Sequence, residues 1–155
     1  MPVSSDATIL MGDGTHKLAC DVKDGDQVMT PAGPRRVVAR KDCGNHNGYT
    51  SVVMADGRTL KCRNDTHLFA DDGLTDADSL CSGMQLLSCA GDGIIHPGRA
   101  FRKYYRNTKR IASKRIYHRV VTKVAVWSRE TVRHFSFTVD DAECYYADGI
   151  LVGDD

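Results

Sequence analysis

The chain has 155 residues, 41% of them apolar and 26% charged, with 21 Lys and Arg against 20 Asp and Glu. That length suits one domain with a sizeable core, and the composition is that of an ordinary globule. No apolar run approaches the roughly 20 residues of a membrane span, and no signal peptide precedes Val3, so a cytoplasmic protein without a membrane partner is expected.

Short strand-like runs alternate with turn signals through most of the sequence. Ala7 to Met11 is followed by Gly12-Asp13-Gly14, which reads as a hairpin tip leading into His16-Lys17-Leu18. Asp24-Gly25-Asp26 leads into Gln27 to Thr30, and Pro31-Ala32-Gly33-Pro34 forms the next turn before Arg35 to Ala39. Ser51 to Met54 and Thr59 to Cys62 flank Ala55-Asp56-Gly57, another hairpin with an Asp-Gly corner. Thr75 to Leu80 is the one place where a short helix is expected, with Thr75 as its cap.

Residues 94–115 show no period and read as a basic surface loop or linker. Two further strands are expected, over Val120 to Trp127 and Val132 to Val139; in the second, Phe135, Phe137 and Val139 alternate with Ser136 and Thr138. Many short strands at this spacing define an all-β fold, a single domain over residues 1–155.

The six cysteines, Cys20, Cys43, Cys62, Cys81, Cys89 and Cys144, contain no C-x-x-C pair and no clustered His partners. A zinc site needs ligands close enough in sequence for one turn to present two of them, so neither a metal nor another cofactor is expected. The cysteines read as reduced thiols, mostly small core residues. Charge is uneven: up to Asp92 the acids outnumber the bases, and Arg99 to Lys123 is strongly basic. Phe101, Tyr104 and Tyr105 interleave with those cations, a pattern that suits nucleic acid or an acidic partner, although a solvated basic loop has the same composition.

Three segments, in order, resemble the intein family. Val3-Ser4-Ser5-Asp6-Ala7-Thr8-Ile9-Leu10-Met11-Gly12-Asp13-Gly14, continuing to Gly25-Asp26-Gln27-Val28, looks like the opening motif, in which a strand and hairpin lead to a G-D-x-V step. Asn64-Asp65-Thr66-His67-Leu68-Phe69 is similar to the motif in which Thr or a similar residue stands three before a His. Phe135 to Ala142, then Tyr145-Tyr146-Ala147-Asp148-Gly149-Ile150-Leu151-Val152, looks like the closing pair of motifs.

The resemblance implies a horseshoe-like all-β Hint fold with adjacent termini, and autocatalytic peptide-bond rearrangement, in cis or trans, rather than turnover. The implied partners are flanking extein segments of a host protein. Residues 68–87 resemble phage helicase inteins, and 94–115 fall where an endonuclease insert or a natural split would lie. The acidic first part and basic second part would suit complementary halves that find each other by charge. No endonuclease signature is visible, which implies a minimal splicing domain.

Splicing needs a thiol or hydroxyl to open the chain, a His to protonate the leaving nitrogen, a downstream nucleophile, and an Asn that cyclises to release the domain. By register with the opening motif the first of these positions is Pro2, which has no nucleophile; Ser4 and Ser5 are out of register. His67 is the principal catalytic candidate, implied by the resemblance to face the first peptide bond and so expected within reach of Pro2, with Asn64 as its polar companion, while Asp65 and Thr66 read as turn residues. Glu143 stands where a His is common. Cys144 is a candidate internal nucleophile, although variants of that kind carry their Cys closer to Ser136; with His67 it also admits a cysteine hydrolase. Gly153 and Asp154 take the places of His and Asn, and Asp155 stands at the acceptor position. The resemblance thus implies a splicing domain with impaired or altered junctions. The reading from another class is a binding module that kept the fold and uses its basic segment.

Overall fold

A computed structural model describes residues 2–55, 57–70, 73–88, 117–142 and 144–153. The basic segment at 94–115, Cys89, Glu143, Asp154 and Asp155 lie outside the described residues. Within them the chain forms twelve strands: β1 (Val3–Ser4), β2 (Thr8–Leu10), β3 (His16–Leu18), β4 (Gln27–Thr30), β5 (Gly33–Met54), β6 (Thr59–Cys62), β7 (His67–Ala70), β8 (Gly73–Asp76), β9 (Gln85–Leu87), β10 (Tyr117–Val139), β11 (Cys144–Ala147) and β12 (Ile150–Gly153). All their pairings are antiparallel, which gives the all-β architecture that the spacing of strands and turns predicts.

The hairpins fall where the turn residues place them. β2 and β3 pair through Thr8–Leu18 and Leu10–His16 around the Gly12-Asp13-Gly14 tip, and β4 pairs with the start of β5 across Pro31 and Ala32. The two strands expected at Val120 to Trp127 and Val132 to Val139 are one long strand, β10, which follows β5 from Val37 to Met54. Its register shifts between Trp127 and Val132. Extra residues on one strand add local twist to the β5–β10 ribbon.

The helix expected at Thr75 to Leu80 is absent. Thr75 lies in β8, paired with Leu68, and only a 3-10 turn at Ala77–Ser79 follows. Strand pairing with β7 satisfies these backbone groups along a ladder, and a single weak cap signal does not outweigh it. The cysteines also differ from expectation. Cys62 is buried, but Cys20 and Cys81 are exposed, and Cys43 and Cys144 are half-buried.

Two apolar clusters hold the strands, and single strands feed both. Ile9, Tyr145, Ala147, Ile150 and Val152 join the larger core with Val3, Val52, Leu60, Leu68 and Phe137. Their neighbours Leu10, Tyr146 and Leu151 turn to the opposite face and pack with Met29, Phe69, Leu87 and Cys144. Alternation with period two produces this division directly. The Phe137 and Tyr145 rings meet edge to face, with centroids 5.4 Å apart, linking β10 to β11 in the larger core.

The β11–β12 hairpin closes through two residues, Asp148 and Gly149, both in the left-handed region. That is the backbone of a type I′ turn, and Asp-Gly is a preferred pair for it. The Asp148 carboxylate accepts from both the amide and the hydroxyl of Thr8, tying this hairpin to β2. Burial raises the Asp148 pKa, an effect that the Thr8 bonds oppose.

Candidate functional site

The site is built on the start of β7. Thr66, just before the strand, is fully buried. Its hydroxyl donates to the carbonyl of Pro2 at 2.8 Å, and the Arg63 amide donates to the same oxygen at 3.2 Å. β1 is clamped beyond that point, with Val3 paired to Cys62 on one side and to Phe135 on the other. Two donors and two flanking strands therefore fix the backbone at Pro2, and with it the direction from which an upstream chain arrives.

The next residue, His67, faces the other way, as alternation along a strand requires. Its partner across β12 is Gly153, and its partner across β8 is Asp76. Gly153 in turn pairs with Cys144 on β11. Cys144, Gly153, His67 and Asp76 thus form one cross-strand row over four adjacent strands. The His67 Nε2 lies 2.7 Å from an Asp76 carboxylate oxygen, a contact that orients the imidazole. The upstream and downstream ends therefore meet consecutive residues, Thr66 and His67, on opposite faces of one strand.

The surroundings of Gly153 are closed. A Cβ built there would lie 2.5 Å from Phe69 Cε2 and 2.8 Å from Leu74 Cδ1, both inside any real contact distance. Phe69 and Leu74 form the cross-strand pair two residues further along β7 and β8, on the same face as His67 and Asp76. The position at which the resemblance implies a His is occupied by their side chains.

The other residues singled out in the sequence are placed as follows. Asn64 is exposed, and its side-chain oxygen accepts from the Thr50 hydroxyl. Ser136 follows Phe135, the partner of Val3, and is half-buried on β10 opposite Lys41. Cys144 packs against the smaller apolar cluster. Asp154 lies outside the described residues.

Thr66 and Asp76 carry no functional signal of their own in the sequence. Thr66 reads only as a turn residue beside His67. Asp76 falls in the stretch where a helix is expected, and only the pairing of β7 with β8 brings its carboxylate to His67.

A further thiol stands near the upstream end. Cys62, the partner of Val3, is buried, and burial raises its pKa to about 12. It is therefore a protonated thiol at neutral pH rather than a nucleophile. No group of three or more metal-ligating side chains occurs among the described residues, and none of their helices is long and apolar enough to cross a membrane.

Comparison with solved structures gives this architecture its place. The chain is similar to the intein-like domain from Clostridium thermocellum, with 17% identity over 99% of this chain and 98% of that one, at a TM-score of 0.76. It is similar to a DnaB intein from Synechocystis sp. PCC 6803, with 15% identity over 99% and 98% of the two chains and a TM-score of 0.76. The gp41-1 intein matches at 13% identity over 99% and 98%, with a TM-score of 0.69. No protein-family model matches the sequence, and no curated protein matches it. The chain has the intein-type Hint fold, over essentially its whole length.

Proposed function

We propose that this is an intein-type domain that rearranges peptide bonds at its own junctions, with those junctions altered so that splicing in full is impaired. The observation that carries the reading is the meeting of both ends on Thr66 and His67, since the chemistry requires that one set of groups reach two distant peptide bonds. Thr66 and the Arg63 amide hold the upstream backbone. His67, oriented by Asp76, supplies a proton donor or acceptor beside the downstream bond. Asn64, Cys144 and Ser136 are the further polar or nucleophilic groups of the assigned site, and Asp154 is the residue that would cyclise in place of Asn.

Three positions account for the impairment. Pro2 offers no thiol or hydroxyl to attack the preceding carbonyl. Gly153 offers no imidazole, and Asp154 is a carboxylate where an amide nitrogen would close the ring. The partners on this reading are the flanking segments of a host protein.

Intact-mass analysis tests the proposal. The domain is placed between two short foreign segments, and a parallel sample carries Pro2→Cys. Clean cleavage or joined flanks in either sample is the expected result, with the upstream bond opening only in the Pro2→Cys protein. An unchanged mass in both samples after long incubation with a thiol would overturn it.

A further inference from the structure

Beside the register shift in the β5–β10 ribbon lies a cleft of about 670 Å³ between Asn45–Tyr49, Arg63–Asp65 and Ala125–Trp127. Trp127, the single tryptophan of the chain, is 83% exposed. Its ring lies across Gly48, where an added Cβ would be 3.1 Å from it, and its outer face points to solvent. The side chains of Asn45, Asn47 and Tyr49 make no hydrogen bond within the protein among the described residues. A concave surface with an exposed ring and uncommitted carboxamides is built to receive something.

The cleft lies next to the upstream junction. The Arg63 amide that holds the Pro2 carbonyl belongs to its wall, and β1 runs antiparallel to β6 with Val3 opposite Cys62. The Pro2 carbonyl is held at Arg63, just past the end of β6, where the chain turns through Asn64 and Asp65, so a chain continued upstream from Pro2 starts beside that wall. We infer that this cleft is the docking site for the upstream flanking segment, bound as an extended peptide with an aromatic or long apolar side chain over Trp127. The inference rests on the junction reading given above.

The chemistry favours a peptide. Each carboxamide presents a donor and an acceptor together, which matches the alternating N–H and C=O of an extended backbone. A nucleic acid would need uncommitted cations for its phosphates. Arg63 is already paired with Asp65, at 3.4 Å, so the described wall offers no surplus positive charge.

Because Trp127 is the only tryptophan, its indole reports on the cleft without interference. One sample carries ahead of Pro2 a short foreign segment with an aromatic residue near the junction; a second carries a Gly-Ser segment; a third carries none. The expected result is a shifted indole N–H resonance and a blue-shifted emission in the first sample, weaker changes in the second, and a reduced shift in the first after Asn47→Ala. An indole signal identical in all three samples overturns the inference. So does a signal that moves only when a single-stranded oligonucleotide is added. The readout is independent of bond cleavage. A shifted indole with an unchanged mass would preserve the cleft assignment and overturn the rearrangement reading, and the converse pattern would do the opposite.

Discussion

The two ends of the domain are held by different physics. The upstream end is gripped by hydrogen bonds: a buried hydroxyl and an amide share the Pro2 carbonyl, and β1 lies between two strands. The downstream end also lies between two strands, β11 and β7, and is closed by packing as well: a side chain at Gly153 would meet the tips of Phe69 and Leu74. On the junction reading proposed above, the departure at Pro2 is chemical, a missing nucleophile in an intact polar frame. The departure at Gly153 is steric as well, because apolar side chains fill the space that an imidazole would need. One substitution addresses the first, whereas the second also requires Phe69 and Leu74 to shift.

The largest effect should come from the strand that both ends share. Leu68 is fully buried between Thr66–His67 and the core. Leu68→Ala should cost about 2–5 kcal/mol, as large-to-small core changes do, and should lower hydrogen-exchange protection in β1 and β12 together. Protection lost at one end alone would break the idea of a common anchor.

Next in size is Gly153→His, which restores the implied family residue. It should destabilise by about 1–3 kcal/mol through overpacking, seen as a lower urea midpoint. Adding Leu74→Ala should recover part of the loss. A Gly153→His protein as stable as the parent would show that the downstream end is not sterically closed.

Thr66→Val removes the hydroxyl at nearly constant volume and leaves the Pro2 carbonyl short of a donor. The expected cost is about 1 kcal/mol, with faster amide exchange confined to β1 and its partners. Equal changes in β12 would blur the division between the two ends.

The smallest effect is a pH dependence on the upstream side. His134 is fully buried opposite Ser4, with its Nδ1 at the Val132 carbonyl, its ring edge-on to His46, and no hydrogen-bond partner for Nε2. Burial lowers its pKa below the ordinary 6.5. The unfolded chain therefore binds this proton more readily than the folded one, so stability is full above the ordinary value and falls as pH drops below it. Urea midpoints measured on either side of that value should show this loss, and His134→Phe should flatten it. An unchanged slope in the variant would remove His134 from the account.

Much of this fold is legible in the sequence because its signals are local. The Gly12-Asp13-Gly14 tip and the Asp148-Gly149 corner specify turns by backbone conformation alone, and the alternation at Phe135, Phe137 and Val139 specifies a buried face. The candidate site is less legible because it depends on register. His67 could be found from its motif. Asp76 becomes its neighbour only through the pairing of β7 with β8, and Thr66 reaches Pro2 only because β1 lies against β6. No residue spacing encodes those contacts, which are set by non-local pairing. The filling of Gly153 is further still from the sequence, since it requires knowing which side chains lean over a particular backbone atom.

The anchoring of both ends on consecutive residues also has a consequence for any longer chain in which the domain is embedded. Gly153 is one strand spacing, roughly 4.8 Å, from His67, and Pro2 is a single hydrogen bond from Thr66. Flanking chains would leave the domain almost side by side. To a surrounding protein the insertion would act as the stem of a narrow loop, leaving the two halves of the host close enough to fold against each other while the domain projects from the surface.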